Sequence, residues 1–350
     1  MGEQPCDLLE AEMALDLLEG ELAAELPAHM RAFARAHAEA RPLPSAPLVA
    51  RLASSLQTAR NACMHELLAD RGLAMMRLVA PLMIEDDPRV VAARSESPSW
   101  DGLARLAAAR DVVARDRFGT SAVEIFHRLH GVPAERPDYD APGTAIAGWH
   151  ERGSAIDHGS IVDVWNALAS RFGIAGQVRI DRSANAHPRA FVIEPQVEVV
   201  VVVPSAIDTP AARFAVLHEL GHAIVALALP AGTPRVVDEA AASYIARLAE
   251  PPSWLPPRWP SELATAARVR RTALAAMLDD IERGLPTLAD VPGAKPPWAL
   301  WHDPGAQAAY VAAEAIADRM RSELGPNPPR GRFLHALELE RARIDHRTRL

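Results

Sequence analysis

The chemistry-bearing residues of this chain concentrate at His218, Glu219 and His222, within Val216-Leu217-His218-Glu219-Leu220-Gly221-His222-Ala223. Two histidines four positions apart stand on one face of a helix, about one turn from each other, so both imidazoles reach a single ion. Zinc suits neutral imidazole and carboxylate ligands, and a catalytic site keeps one coordination position for water. A glutamate beside the first ligand is then placed to take a proton from that water. The flanks oppose the plainer reading of two surface histidines. Phe214, Val216, Leu217, Leu220, Ile224, Val225 and Leu227 surround the motif, which predicts a helix buried on more than one side. A buried Glu and two buried His without partners are costly, and a metal removes that cost. Gly221 weakens a helix interior relative to Ala, so it implies a close approach of backbone or ligand.

A zinc site needs a third protein ligand. The next apolar helix pattern, residues 236–248, carries Asp238 and Glu239 near its start, among small residues that let two helices pack closely. Pro230-Ala231-Gly232-Thr233-Pro234 is a turn long enough to fold this helix back on the first. Both carboxylates are candidates on spacing alone.

The H-E-x-x-H motif followed by a helix bearing Glu resembles the gluzincin metallopeptidases. Locally, Glu239-x-x-Ala242-Ser243-x-x-Ala246 is similar to the ImmA/IrrE-type branch, which usually reads E-x-x-A-N-x-F-A; Ser243 and Ile245 depart from that form. The resemblance covers about residues 155 to 250. It implies Zn2+ as cofactor, Glu239 rather than Asp238 as third ligand, and hydrolysis of peptide or protein substrates with Glu219 as general base. A mostly helical chain with a cleft restricted by the N-terminal helices would favour short peptides, whereas the ImmA/IrrE-like pattern implies a specific cytosolic protein substrate, such as a repressor. Zinc peptidases also place a His, Tyr or Arg donor opposite the metal to hold the oxyanion. His302 and Tyr310 lie in a Gly-containing stretch that loosely resembles the His and Tyr pair of thimet-type oligopeptidases, and loop or packing roles are the alternative. Tyr244, one turn beyond Glu239, reads as core.

The elements that must position these residues are mixed. Residues 159–172 form a helix pattern with Ile161, Val164, Trp165, Leu168 and Phe172 on one face. Residues 177–181, 190–194 and 197–203 are strand patterns, the last a valine run too β-branched for a comfortable helix. That strand is expected to be buried, with a sheet edge beside the metal that pairs with an extended peptide. The N-terminal half is helical throughout: residues 6–40 with an interruption at Pro27, residues 48–79, and residues 100–130 with a break at Phe118-Gly119-Thr120. After the motif come a Pro/Trp-rich stretch (251–260) and helices at 261–283, around Tyr310, and at 332–343. The predicted fold class is α+β and predominantly helical, with a zincin-like core, a small three-stranded sheet and C-terminal helices. The predicted domains are a helical region, 1–130; a Pro/Gly-containing linker or covering loop, 131–153; and the metallopeptidase domain, 154–350.

Composition narrows the function classes. At 350 residues, 49% hydrophobic and 23% charged, the chain has globular values. A net charge of -8 with no basic block gives no case for nucleic acid. Lys295 is the only lysine, and with abundant Ala and Pro this points to a high-GC bacterial genome. Two distant cysteines, Cys6 and Cys63, imply no disulfide framework. No signal-sequence pattern or membrane-length apolar run is read, so the expected location is the cytoplasm, with no membrane partner. Oligomeric state is not legible. A non-catalytic regulatory or sensor protein with a zincin-like zinc domain is the rival reading; an intact Glu219 weighs against it. A purely structural zinc site would want four protein ligands, usually with Cys, and neither cysteine is near.

Overall fold

The computed structural model describes residues 8–39, 41, 80, 83–95, 99–132, 152–183, 187–248, 276, 279–284, 304–325 and 328–349. The predicted helix at 48–79, the Pro/Trp stretch, most of the helix at 261–283, all but the ends of the 131–153 segment, and both cysteines lie outside these residues.

The described architecture is predominantly helical with one small mixed sheet, the predicted fold class. Helix α1 spans Leu8–Ala38, α2 Pro88–Arg94, α3 Trp100–Phe118, α4 Ala122–His130 and α5 His158–Phe172. Strands β1 (Gln177–Ser183), β2 (Arg189–Glu194) and β3 (Glu198–Pro204) follow. Then come α6 (Pro210–Ala228), α7 (Arg235–Ala246), α8 (Ala306–Leu324) and α9 (Arg330–Arg349). The break expected between α3 and α4 is present, with Gly119 in a left-handed conformation as the C-cap of α3. No break occurs at Pro27, which lies inside a continuous α1.

Sheet order is β1-β3-β2, with β1 parallel and β2 antiparallel to β3. The valine strand is therefore central, and both its edges are paired. Its burial is as expected, and the sheet edge beside the motif belongs to β2 rather than to the valine strand. Its composition follows from its position: Val199, Val201 and Val203 enter the main core, and Val200 and Val202 enter a second cluster with Phe191, Ile193 and Ala34. Met30, Phe33 and Ala38 of α1 pack on that second cluster. A strand covered on both faces has no polar face to alternate with, so it reads as an unbroken apolar run. The last turn of α1 also meets the sheet by polar contacts. Ser183 Oγ donates to His37 O at 3.0 Å, and His37 Nε2 lies 3.3 Å from His187 O.

Helix α6 begins at Thr209, whose side chain accepts from Ala212 N–H, with Pro210 in the first turn. Its 19 residues are long and apolar enough to match a membrane span by length and composition, which corrects the expectation that no apolar run reaches that length. In the folded chain its apolar residues enter the main core: Val216, Leu220, Ala223, Ile224 and Leu227 pack with the sheet and with Val236, Val237, Ala240 and Ala241 of α7. Helix α7 also packs against α8, whose Ala313, Ile316, Ala317 and Met320 join the same core.

Candidate metal centre

Helices α6 and α7 meet where Gly221 faces Ala242. A Cβ added at Gly221 would stand 2.7 Å from Ala242 Cα and 3.1 Å from Ala242 O. The glycine that costs α6 helical stability is what lets the two backbones touch. This contact draws the start of α7 against the histidine face of α6.

At that junction Glu239 Oε2 lies 3.1 Å from His218 Nε2 and 3.5 Å from His222 Nε2. Tetrahedral zinc bonds of about 2.0–2.1 Å put neighbouring ligand atoms about 3.3–3.4 Å apart. The observed separations bracket that spacing. Ligand atoms of His218, Glu219 and His222 also lie within 4.8 Å of one another, and among the described residues this is the only such group of three or more. Two imidazoles and carboxylates form a donor set that suits zinc, so the residues fit the metal the motif implies.

Asp238 takes a different place. Its Oδ1 stands 2.9 Å from His222 Nδ1, the ring nitrogen turned away from Glu239, and off the line of a well-formed hydrogen bond. This places a negative charge behind the imidazole and leaves Nε2 as the ring nitrogen that faces Glu239. The two adjacent acidic residues therefore divide into one that faces the histidines and one that stands behind them.

Burial opposes charge on both His222 and Glu239, but their mutual attraction outweighs it. Asp238 and Glu239 hold the His222 pKa well above its ordinary value, and His222 and His218 hold Glu239 well below its own. The pocket thus already pairs a carboxylate with positive charge. Among the described residues, three carboxylates (Glu219, Asp238 and Glu239) gather at these imidazoles, with Arg235 the guanidinium in ion-pair range of Glu239.

Glu219 is anchored from the sheet. Ala190 N–H of β2 donates to its Oε2 at 2.7 Å. A second tie holds the same hairpin lower on α6, where Gln196 N–H donates to Ala226 O at 2.8 Å. Gln196 sits in a left-handed conformation, φ 64°, in the β2–β3 turn. Strand β2, an edge strand, is thereby held along α6 beside the motif.

Of the remaining predicted residues, His302 lies outside the described residues. Tyr310 is on α8 and its hydroxyl accepts from Arg235 Nη2 at 3.1 Å, one residue removed from Glu239. Tyr244 is buried and donates to Gly325 O at 2.8 Å; burial pushes its phenol up to about 12. Ser243, where the resembled pattern has Asn, donates to Glu314 Oε1 of α8 at 3.2 Å. Sequence reasoning missed Arg235, although its spacing four before Glu239 is a visible i,i+4 pairing signal. It also missed the Ala190 amide, which as backbone leaves no residue-type signal.

No family model matches the chain, and no curated protein matches it. Similar solved structures include an M32 carboxypeptidase from Deinococcus radiodurans R1, 14% identical with TM-score 0.36, covering 98% of this chain and 78% of that one. Another is a Pyrococcus furiosus carboxypeptidase, 11% identical with TM-score 0.32, covering 86% and 70%. A protein designated CHT is 13% identical with TM-score 0.38, covering 95% and 76%. At that degree of overlap the chemistry rests on this chain's own geometry.

Proposed function

We propose that the chain is a zinc-dependent metallopeptidase in which His218, His222 and Glu239 hold the metal and Glu219 acts as general base. The observation that carries this reading is the approach of one Glu239 oxygen to both Nε2 atoms at ligand-shell spacing. Bound zinc would supply Lewis acidity toward a peptide carbonyl and toward the attacking water. Glu219 takes a proton from that water on its carboxylate and returns it to the leaving amine. The Ala190 amide keeps the Glu219 carboxylate oriented while it waits for substrate. Asp238 places a negative charge behind the His222 ring. The resemblance to the ImmA/IrrE-type branch supports a cytosolic protein substrate over short peptides.

The test uses the full chain with zinc, assayed on a quenched-fluorescence peptide library and read by mass spectrometry. The parent is expected to bind about one zinc and cleave peptides, consistent with three protein ligands and an open position. Glu219→Gln should retain zinc and lose about 10²- to 10⁴-fold in cleavage, the usual share of a general base. Zinc binding with no cleavage by the parent, and unchanged biological activity in Glu219→Gln, would instead establish the non-catalytic regulator.

A further inference from the structure

We infer that Arg235 and Tyr310 act as a clamp that selects which oxygen of Glu239 faces the histidines, an inference that rests on the metal reading above. A carboxylate has two equivalent oxygens, and rotation of the side chain can present either one or both. Here they are differentiated. Oε2 faces His218 and His222, whereas Oε1 lies 3.5 Å from Arg235 Nε. Arg235 sits one turn before Glu239 on α7, the spacing at which two side chains meet.

Arg235 is itself held from another helix. Its Nη2 donates to Tyr310 Oη at 3.1 Å, and its guanidinium carbon lies 5.3 Å from the centre of the Tyr310 ring. One guanidinium thus lies in ion-pair range of a carboxylate through Nε and donates to a phenol through Nη2, with its carbon over the ring. That combination needs the fork and delocalised plane of Arg, which the point charge of Lys lacks. The arrangement links the third ligand to α8, so α6, α7 and α8 all contribute to one centre. Arg235 is 30% exposed, and an ion pair that open contributes little to folding by itself. Its consequence is in orientation, which makes it a positioning residue. Tyr310 acts at one remove, through Arg235.

The test is a Co2+ titration of the full-length parent, Arg235→Ala, Arg235→Lys and Tyr310→Phe, reading visible ligand-field absorption and affinity by competition. Arg235→Ala is expected to weaken Co2+ binding by about tenfold, at the lower end of what outer partners of metal ligands contribute. Its visible bands should change intensity as the second Glu239 oxygen becomes available. Tyr310→Phe should move both readouts in the same direction by less. Arg235→Lys should recover affinity in part but not the parent spectrum. An Arg235→Ala protein with the parent's spectrum and affinity overturns the clamp. If Arg235→Ala does not fold, Tyr310→Phe decides: parent-like bands and affinity overturn the proposal, and shifted ones support it. A parent that binds no Co2+ overturns the metal reading and the clamp with it, and that outcome is distinct from parent-like variants.

Discussion

Toward α8, helix α7 presents Ser243, and its C-cap Arg247, to Glu314 and Asp318. Toward α6, it presents Glu239 to His218 and His222. Both clusters are buried: Glu314 and Glu239 are each 3% exposed. Yet they are built on different principles. Glu314 meets its own cation, Arg247, and the Ser243 hydroxyl, while Arg247 reaches Asp318 at 3.0 Å. That cluster is a salt bridge with its counter-charge supplied by the C-cap of α7. On the other side a carboxylate oxygen stands between two imidazole nitrogens, with two more carboxylates beside them. There the groups converge as donors to a common point. Burial of charge does not distinguish the two clusters; the convergence of donors at ligand spacing does.

The difference can be broken from either side. The largest effect is expected at Arg247. Arg247→Met leaves Glu314 buried without that cation and should cost about 3–5 kcal/mol in stability, measured by denaturant unfolding. Zinc content of the folded fraction should be unchanged. If zinc is lost while stability holds, the two clusters have been assigned the wrong way round.

Metal removal is the complementary test. Chelation should lower stability by about 2.7–4.1 kcal/mol for free zinc at 100 to 1,000 times its Kd, read as a fall in Tm against the zinc-loaded protein. The Arg247→Met variant should show the same zinc-dependent increment, because the second cluster does not use the ion.

Gly221→Ala probes the contact that joins α6 to α7. Its Cβ meets Ala242 backbone, which yields only by separating the helices. Overpacking of this kind should cost about 1–3 kcal/mol and weaken zinc binding at the same time. An increase in stability with parental zinc affinity, as expected from helix propensity alone, would show that the close approach is dispensable.

The smallest effect is expected at Asp238. Asp238→Asn removes the charge behind His222 and should weaken zinc binding by about tenfold, with Glu239→Asn the stronger lesion in the same titration. Equal losses from the two substitutions would erase the distinction between the residue facing the histidines and the one behind them.

Much of the architecture was legible in the residues. The three strand patterns fall within one or two residues of β1, β2 and β3 because β-branched density and flanking Pro and Gly are local properties. Strand order was not legible. The valine run reads the same at a centre or at an edge, and its two-sided burial depends on α1, distant in sequence, lying over Val200 and Val202. In the site, Glu219 was recognisable from its place beside His218. Its partner, the Ala190 amide, comes from a strand some thirty residues away (|i−j| = 29) and has no signature.

What the sequence by itself determined is the spacing His218-x-x-x-His222 on one helical face, together with two consecutive acidic residues on the helix that returns. Helical geometry alone makes the two imidazoles neighbours. Asp238 and Glu239 are about 100° apart around α7, so only the rotation of that helix about its axis decides which one faces the imidazoles. Tertiary structure set that rotation, through the Gly221–Ala242 contact on one side and the Arg247–Glu314 pair on the other. Apart from the register of the resembled motif, no local property of either carboxylate distinguishes them.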